Sequence, residues 1–99
     1  IRPTLYNVKH KIIPAEKNKK LIKKNIKFVG PICESSDIFL NTKIFQKIRE
    51  KDILLIKDVG AYGMALASNY NLRPKPAEIL VNKSNIKLIR KKENINRLI

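Results

Sequence analysis

One cysteine, Cys33, stands beside a carboxylate, Glu34, in the stretch Val29-Gly30-Pro31-Ile32-Cys33-Glu34-Ser35-Ser36-Asp37. A thiol can serve as a nucleophile or as an acid. Gly30 and Pro31 set a turn or strand end. Ser35, Ser36 and Asp37 favour local side-chain to backbone hydrogen bonds over regular structure. The apolar run from Ile26 to Ile32 therefore reads as a strand that ends in a polar corner carrying Cys33 and Glu34. A rigid strand aims such a corner and a loop exposes it. The plainer reading is that a lone cysteine is a small buried hydrophobe.

Two further groupings carry polar chemistry. Arg2 and Tyr6 lie four residues apart on a predicted strand, which puts them on one face. A planar two-pronged guanidinium and a phenol can together grip a carboxylate. Tyr62 follows Gly60 where a strand passes through a glycine turn into a helix start, an arrangement that leaves N–H groups open to an anion. Its hydroxyl could add to the grip on a phosphate. The structural alternatives are an edge arginine in water and two core tyrosines.

Ninety-nine residues make one domain or part of one, with a modest core. The chain begins with Ile and reads as a piece of a longer protein. It has no signal-peptide pattern and no apolar run able to cross a bilayer. One cysteine permits no internal disulfide and no cysteine-built zinc site, and suits the reducing cytoplasm. With one histidine as well, no metal site is expected. The net charge of +14 raises nucleic-acid binding as an alternative. Against it, the lysines are spread through the chain, with a local cluster only from Lys17 to Lys27. Three Tyr and three Phe also offer little for bases to stack on. AT-rich coding would produce the same Lys, Ile and Asn bias without a ligand. A third alternative is an interaction domain with no chemistry.

The elements that must hold these groups are mostly strands. Alternation from Leu5 to Ile12, between Pro3 and Pro14, predicts a strand with one buried face. Residues 15–25 form a lysine-rich loop leading to an antiparallel partner at Ile26 to Ile32. Asp37 to Phe39 adds a short strand or turn, and residues 41–52 read as mostly irregular. The unbroken run Ile53-Leu54-Leu55-Ile56 predicts a strand buried on both faces. Ala61 to Ala67 favours a short helix. Ala77 to Val81 and Ile86 to Arg90 form a hairpin around Asn82-Lys83-Ser84-Asn85. Ile95, Leu98 and Ile99 suit a short terminal helix. The expected fold is mainly β, an antiparallel Greek-key-like barrel or sandwich with a short helix after Gly60 and another at the C-terminus.

Five segments then recur in one order: Arg2-Pro3-Thr4-Leu5-Tyr6; Gly30-Pro31-Ile32-Cys33-Glu34-Ser35-Ser36-Asp37; Asp58-Val59-Gly60-Ala61-Tyr62-Gly63; Ala67-Ser68-Asn69-Tyr70-Asn71; and Arg73-Pro74 with Pro76-Ala77-Glu78. The ordered set resembles the C-terminal region of the diaminopimelate decarboxylases, pyridoxal-phosphate enzymes of fold type III that make lysine. The tail Leu88-Ile89-Arg90-Lys91-Lys92-Glu93 looks like that family's ending. Ornithine and arginine decarboxylases share the cysteine corner and the Gly-Ala-Tyr turn. Arg2-Pro3-Thr4-Leu5-Tyr6 and Glu34 favour the diaminopimelate branch. Val59 and the lysine density depart from the family without touching the site.

The resemblance implies that residues 1–99 are the C-terminal β-domain region of a two-domain enzyme. Its missing barrel would hold most of the pyridoxal 5′-phosphate contacts and the cofactor lysine, so the fragment alone would be inactive. By the same resemblance, Cys33 donates a proton to the carbon that has lost CO2. Glu34 holds the far amino group of meso-diaminopimelate, and Arg2 and Tyr6 hold its far carboxylate. Tyr62 borders the substrate and contacts the cofactor phosphate. Cys33 and Glu34 would reach into the neighbouring subunit of a homodimer with shared active sites. His10 and Arg73 would be structural.

Overall fold

The computed structural model describes residues 9–97, and the chain divides into two units, Ile1–Leu66 and Ala67–Ile99. In the first, six strands succeed one another: β1 (Ile12–Pro14), β2 (Leu21–Ile22), β3 (Ile26–Val29), β4 (Ile38–Thr42), β5 (Phe45–Gln46) and β6 (Leu54–Ile56). They pair antiparallel as nested couples: β3 with β4, β2 with β5, and β1 with β6. The paired residue numbers keep the same sum to within one, from Ile12↔Ile56 through Ile22↔Phe45 to Val29↔Ile38. Six short strands are thus the two limbs of one interrupted ribbon, and its tip is the segment between Gly30 and Asp37.

Bonds between the ladders carry the ribbon across its interruptions. Lys57 N–H donates to Lys11 O (2.8 Å), Ala15 N–H to Ile53 O (2.8 Å) and Lys47 N–H to Lys20 O (2.9 Å). The buried His10 uses Nδ1 to donate to Lys57 O (3.0 Å) and pins the base. Near the tip, Phe28 faces Leu40 while Val29 faces Ile38, so Phe39 is the extra residue of a bulge that bends β4.

The apolar core of the described residues is small. Ile12 (6% exposed) and Phe28 (8%) are its buried hydrophobes, and Phe28 packs on Phe45 with ring centroids 4.7 Å apart and planes at 59°. A tilted pair suits the charge distribution of the rings.

The second unit is held by the hairpin β7 (Glu78–Asn82) and β8 (Asn85–Arg90). Its loop is Lys83 and Ser84, with Lys83 left-handed at φ 55°. The paired ends Glu78 and Arg90 also meet through their side chains at 2.6 Å. Before the hairpin, a 3-10 turn (Tyr70–Leu72) leads into an extended segment tied to the tail by Glu93. The Glu93 carboxylate accepts the Lys75 N–H (2.8 Å) and the Asn69 side-chain amide (2.6 Å), and the Glu93 N–H donates to Lys75 O (3.1 Å). The Lys75 N–H first, and the Asn69 amide second, hold this carboxyl below its ordinary value. A 3-10 turn, Ile95–Arg97, follows.

The mainly β, antiparallel character agrees with expectation, as do the hairpin, the short helix after Gly60 and a short helical turn near the C-terminus. Among the described residues the strands form four two-stranded ladders and no closed barrel. Three readings are corrected. The strands at Ile12 and Ile26 are not partners, because nesting pairs each with a later strand. Residues 15–25 are not wholly a loop, since they hold β2, whereas residues 41–52 are mostly irregular apart from the end of β4 and the two residues of β5. The run at Ile53 to Ile56 is not buried on both faces: Ile53 and Leu55 are exposed, because a continuous apolar run does not by itself supply a covering layer. No helix among the described residues is long and apolar enough to cross a membrane.

Candidate functional site

The ribbon's tip is built by its own backbone. Gly30 N–H donates to Asp37 O (3.0 Å) and closes the last ladder step. Within the loop, Glu34 N–H donates to Ile32 O (2.9 Å), which makes a γ-turn with Cys33 at its apex. Asp37 N–H then reaches Glu34 O (3.3 Å), a β-turn with Ser35 and Ser36 as its central residues. Small polar residues suit those positions. Two consecutive turns therefore set Cys33 and Glu34 side by side, with Cys33 exposed and Glu34 half-buried.

The tip has an internal brace. The Asp37 carboxylate accepts the Ile32 N–H through Oδ2 at 2.9 Å. It also occupies the space beside the Gly30 Cα: a methyl group added there would lie 2.6 Å from Asp37 Cγ and nearer still to Oδ2. Gly30 is required by this close approach and not by a left-handed backbone. Pro31, with no N–H, leaves no donor unmet between the closing pair and Ile32.

Tyr62 occupies a separate turn beyond β6. The chain leaves the strand through Asp58 (φ 58°) and Gly60 (φ 63°), both left-handed, and enters a single helical turn, α1 (Tyr62–Ala65). Gly63 N–H donates to Gly60 O (3.1 Å) and Leu66 N–H to Tyr62 O (3.0 Å). The helix has no buried residue, and Tyr62 is 72% exposed. Its phenol stands exposed on a turn set by two left-handed residues.

The structure thus brings Cys33 and Glu34 together and sets Tyr62 in a turn of its own. Arg2 and Tyr6 lie outside the described residues. Cys33 is not the small buried hydrophobe of the plainer reading, and Tyr62 is not a core tyrosine. Arg73 is exposed, and its carbonyl accepts the Asn69 side-chain amide at 3.0 Å. A groove of about 270 Å³ at the ribbon's waist, lined by Lys17, Lys20, Lys47 and Asp52 among others, contains none of the residues singled out. Residue type alone predicts for Asp37 only a general tendency to local bonding. The signal for its brace was there, a glycine and an aspartate bounding a short polar loop, but the partner of the carboxylate was not.

Residues 1–60 match the family described as pyridoxal-dependent decarboxylase, C-terminal sheet domain. The chain is 42% identical over 100 residues to the diaminopimelate decarboxylase of Aquifex aeolicus, covering all of this chain and 23% of the relative. It is 40% identical over 100 residues to that of Helicobacter pylori, covering 99% of this chain and 24% of the relative. Among solved structures, the diaminopimelate decarboxylase of M. jannaschii in complex with L-lysine superposes with a TM-score of 0.87 at 37% identity, over 98% of this chain and 22% of that one. The chain therefore spans about a quarter of the length of the relatives it matches.

Proposed function

Because the chain belongs to the pyridoxal-dependent decarboxylases, through their C-terminal sheet domain, we propose that it is the C-terminal part of a diaminopimelate decarboxylase. In this reading it acts on meso-2,6-diaminopimelate, which loses CO2, takes up one proton and leaves as L-lysine. The observation that carries the reading is the exposed thiol at the apex of the braced tip, with Glu34 next to it. The small core supports a larger assembly, since apolar residues on both limbs and on the β7–β8 hairpin stand exposed, Ile86 at 74%.

Tyr62 fits the cofactor. A phenol on a stiff, exposed corner can donate to a phosphate that another domain presents. When bound, pyridoxal 5′-phosphate supplies the electron sink for the pair released with CO2. Most of its contacts, and the lysine that carries it, are assigned to a barrel domain outside this chain.

The chain's own residues do the rest. Cys33 Sγ–H gives its proton to the substrate carbon that has lost CO2, and solvent restores the thiol, which exposure allows. The γ-turn fixes the face from which that proton arrives. Glu34 holds the far ammonium group, and Arg2 with Tyr6 holds the far carboxylate. Groups of both signs at the far end select against an amino acid lacking either charge, because the unmet partner would stay buried and unpaired. By the family resemblance, tip and corner serve different sites of a homodimer. The proposed location is the cytoplasm.

The test is CO2 release from meso-diaminopimelate by the full-length, cofactor-loaded enzyme carrying this chain. Cys33→Ala is expected to slow turnover by about 10²- to 10⁴-fold, the range of positioned proton transfer, with cofactor absorbance unchanged. Turnover equal to the parent would discard the acid role.

A further inference from the structure

We propose that Asp37 is a positioning residue for this site: its carboxylate, seated against Gly30 and holding the Ile32 N–H, fixes where the tip presents Cys33. The inference rests on the reading of Cys33 as the proton donor, and it adds a residue to which neither the family resemblance nor the relatives assign a part.

The Gly30–Asp37 ladder bond closes the tip. Asp37 takes part in three of its hydrogen bonds: as acceptor from Gly30 N–H, as donor to Glu34 O, and through its carboxylate as acceptor from Ile32 N–H. Ile32 is consequently held on both sides, its N–H by Asp37 Oδ2 at 2.9 Å and its carbonyl by Glu34 N–H at 2.9 Å. Cys33 follows directly, inside the γ-turn that Ile32 O and Glu34 N–H close. Removing the carboxylate frees the first anchor, the Ile32 N–H that precedes the γ-turn. A reacting group displaced by about 1 Å loses about 10²-fold in rate, so a local hydrogen bond can govern turnover without touching substrate.

Gly30 supplies the independent half of the argument. The carboxylate can approach Ile32 N–H only because residue 30 has no Cβ. Gly30→Ala must push the carboxylate away and break the same bond. The two changes act on one contact, so their effects are not independent.

The experiment uses the full-length, cofactor-loaded enzyme. Asp37→Ala is expected to lower kcat by about 10- to 100-fold with a smaller change in KM. Amide exchange at Ile32 and Glu34, read by NMR or mass spectrometry with or without cofactor, is expected to accelerate about 10-fold or more as the turn opens. Asp37→Asn keeps an oxygen for the Ile32 N–H and is expected to restore most of the turnover and the protection. Gly30→Ala should reproduce the Asp37→Ala defect, and the double variant should be little worse than either single one. Unchanged exchange at Ile32 in Asp37→Ala overturns the proposal, as does full multiplication of the two kcat defects. Failure of Asp37→Asn to rescue overturns it too, because charge and not the held N–H would then be responsible. If Cys33→Ala is slow while Asp37→Ala turns over like the parent, the positioning inference fails and the functional reading stands. If Cys33→Ala is itself at full speed, the functional reading fails, and with it the catalytic half of this inference, whereas the exchange measurement still decides the brace. Should Asp37→Ala not fold, Asp37→Asn and Gly30→Ala carry the same comparison.

Discussion

Phe28→Ala should open the ribbon just below its tip, at a cost that can be worked from the structure. Phe28 is 8% exposed, pairs with Leu40 across the ladder and packs on Phe45 at 4.7 Å. A buried aromatic removes ~150–250 Å² from water, which at ~25 cal/mol per Å² gives ~4–6 kcal/mol as an upper bound. Phenylalanine-to-alanine changes in cores cost ~3–5 kcal/mol, and that is the expected loss here. A multidomain parent need not unfold in two states, so the measurement is amide exchange along β3 and β4 in the full-length protein, read as the free energy of local opening. Phe28→Leu, which fills most of the volume, should cost under about 1.5 kcal/mol. Phe45→Ala should cost less than Phe28→Ala because Phe45 is only half-buried, and the pair should couple by ~1 kcal/mol in a double-mutant cycle. A loss below about 1 kcal/mol for Phe28→Ala would refute the view that this ring is a principal support of the ribbon.

Two further outcomes follow from the turns and the tail. Gly60→Ala meets no neighbouring atom within 4 Å, so its cost should be that of the left-handed backbone alone, ~1–2 kcal/mol, seen as faster exchange across Ala61–Leu66; Gly60→Asn should recover part of it. Glu93, held below its ordinary value, stabilises the tail above its unfolded pKa, and that stabilisation disappears as pH falls through the lower folded value. Protection of the Lys75 amide should therefore fall on acidification below the usual carboxylate range, and Glu93→Gln should flatten that acid limb. Protection that rises on acidification would show the sign to be wrong.

The tip and the Tyr62 corner also suggest how a chain with so small a core comes to hold reactive groups. Both are tight turns whose shape depends on local hydrogen bonds and on glycine, and neither draws on a large packed interior. Cys33 on the tip and Tyr62 on the corner stand exposed. The same dependence explains why substitutions at Gly30 and Gly60 should act by different routes, one through space and the other through φ.

Periodicity and turn chemistry determined much of this in advance. Apolar runs marked the strands at Ile26 and Leu54 and the β7–β8 hairpin, and Gly60 marked the turn before the short helix; the alternation that predicted a strand up to Ile12 missed β1, which begins at Ile12 and runs through Pro14. Motif order pointed to Cys33, Glu34 and Tyr62, because these depend on residue type at short range. Pairing was another matter. Nothing within a few residues of Ile12 says that Ile56 will be its partner, since that choice is made by closing a long loop whose hydrogen bonds look alike in every register. Nor did the run at Ile53 to Ile56 reveal that Ile53 and Leu55 stand exposed, because burial belongs to what surrounds a strand. The contact of Asp37 with Gly30, two groups seven positions apart meeting edge to edge, likewise came into being only when the ribbon folded back on itself and brought them to the same ladder step.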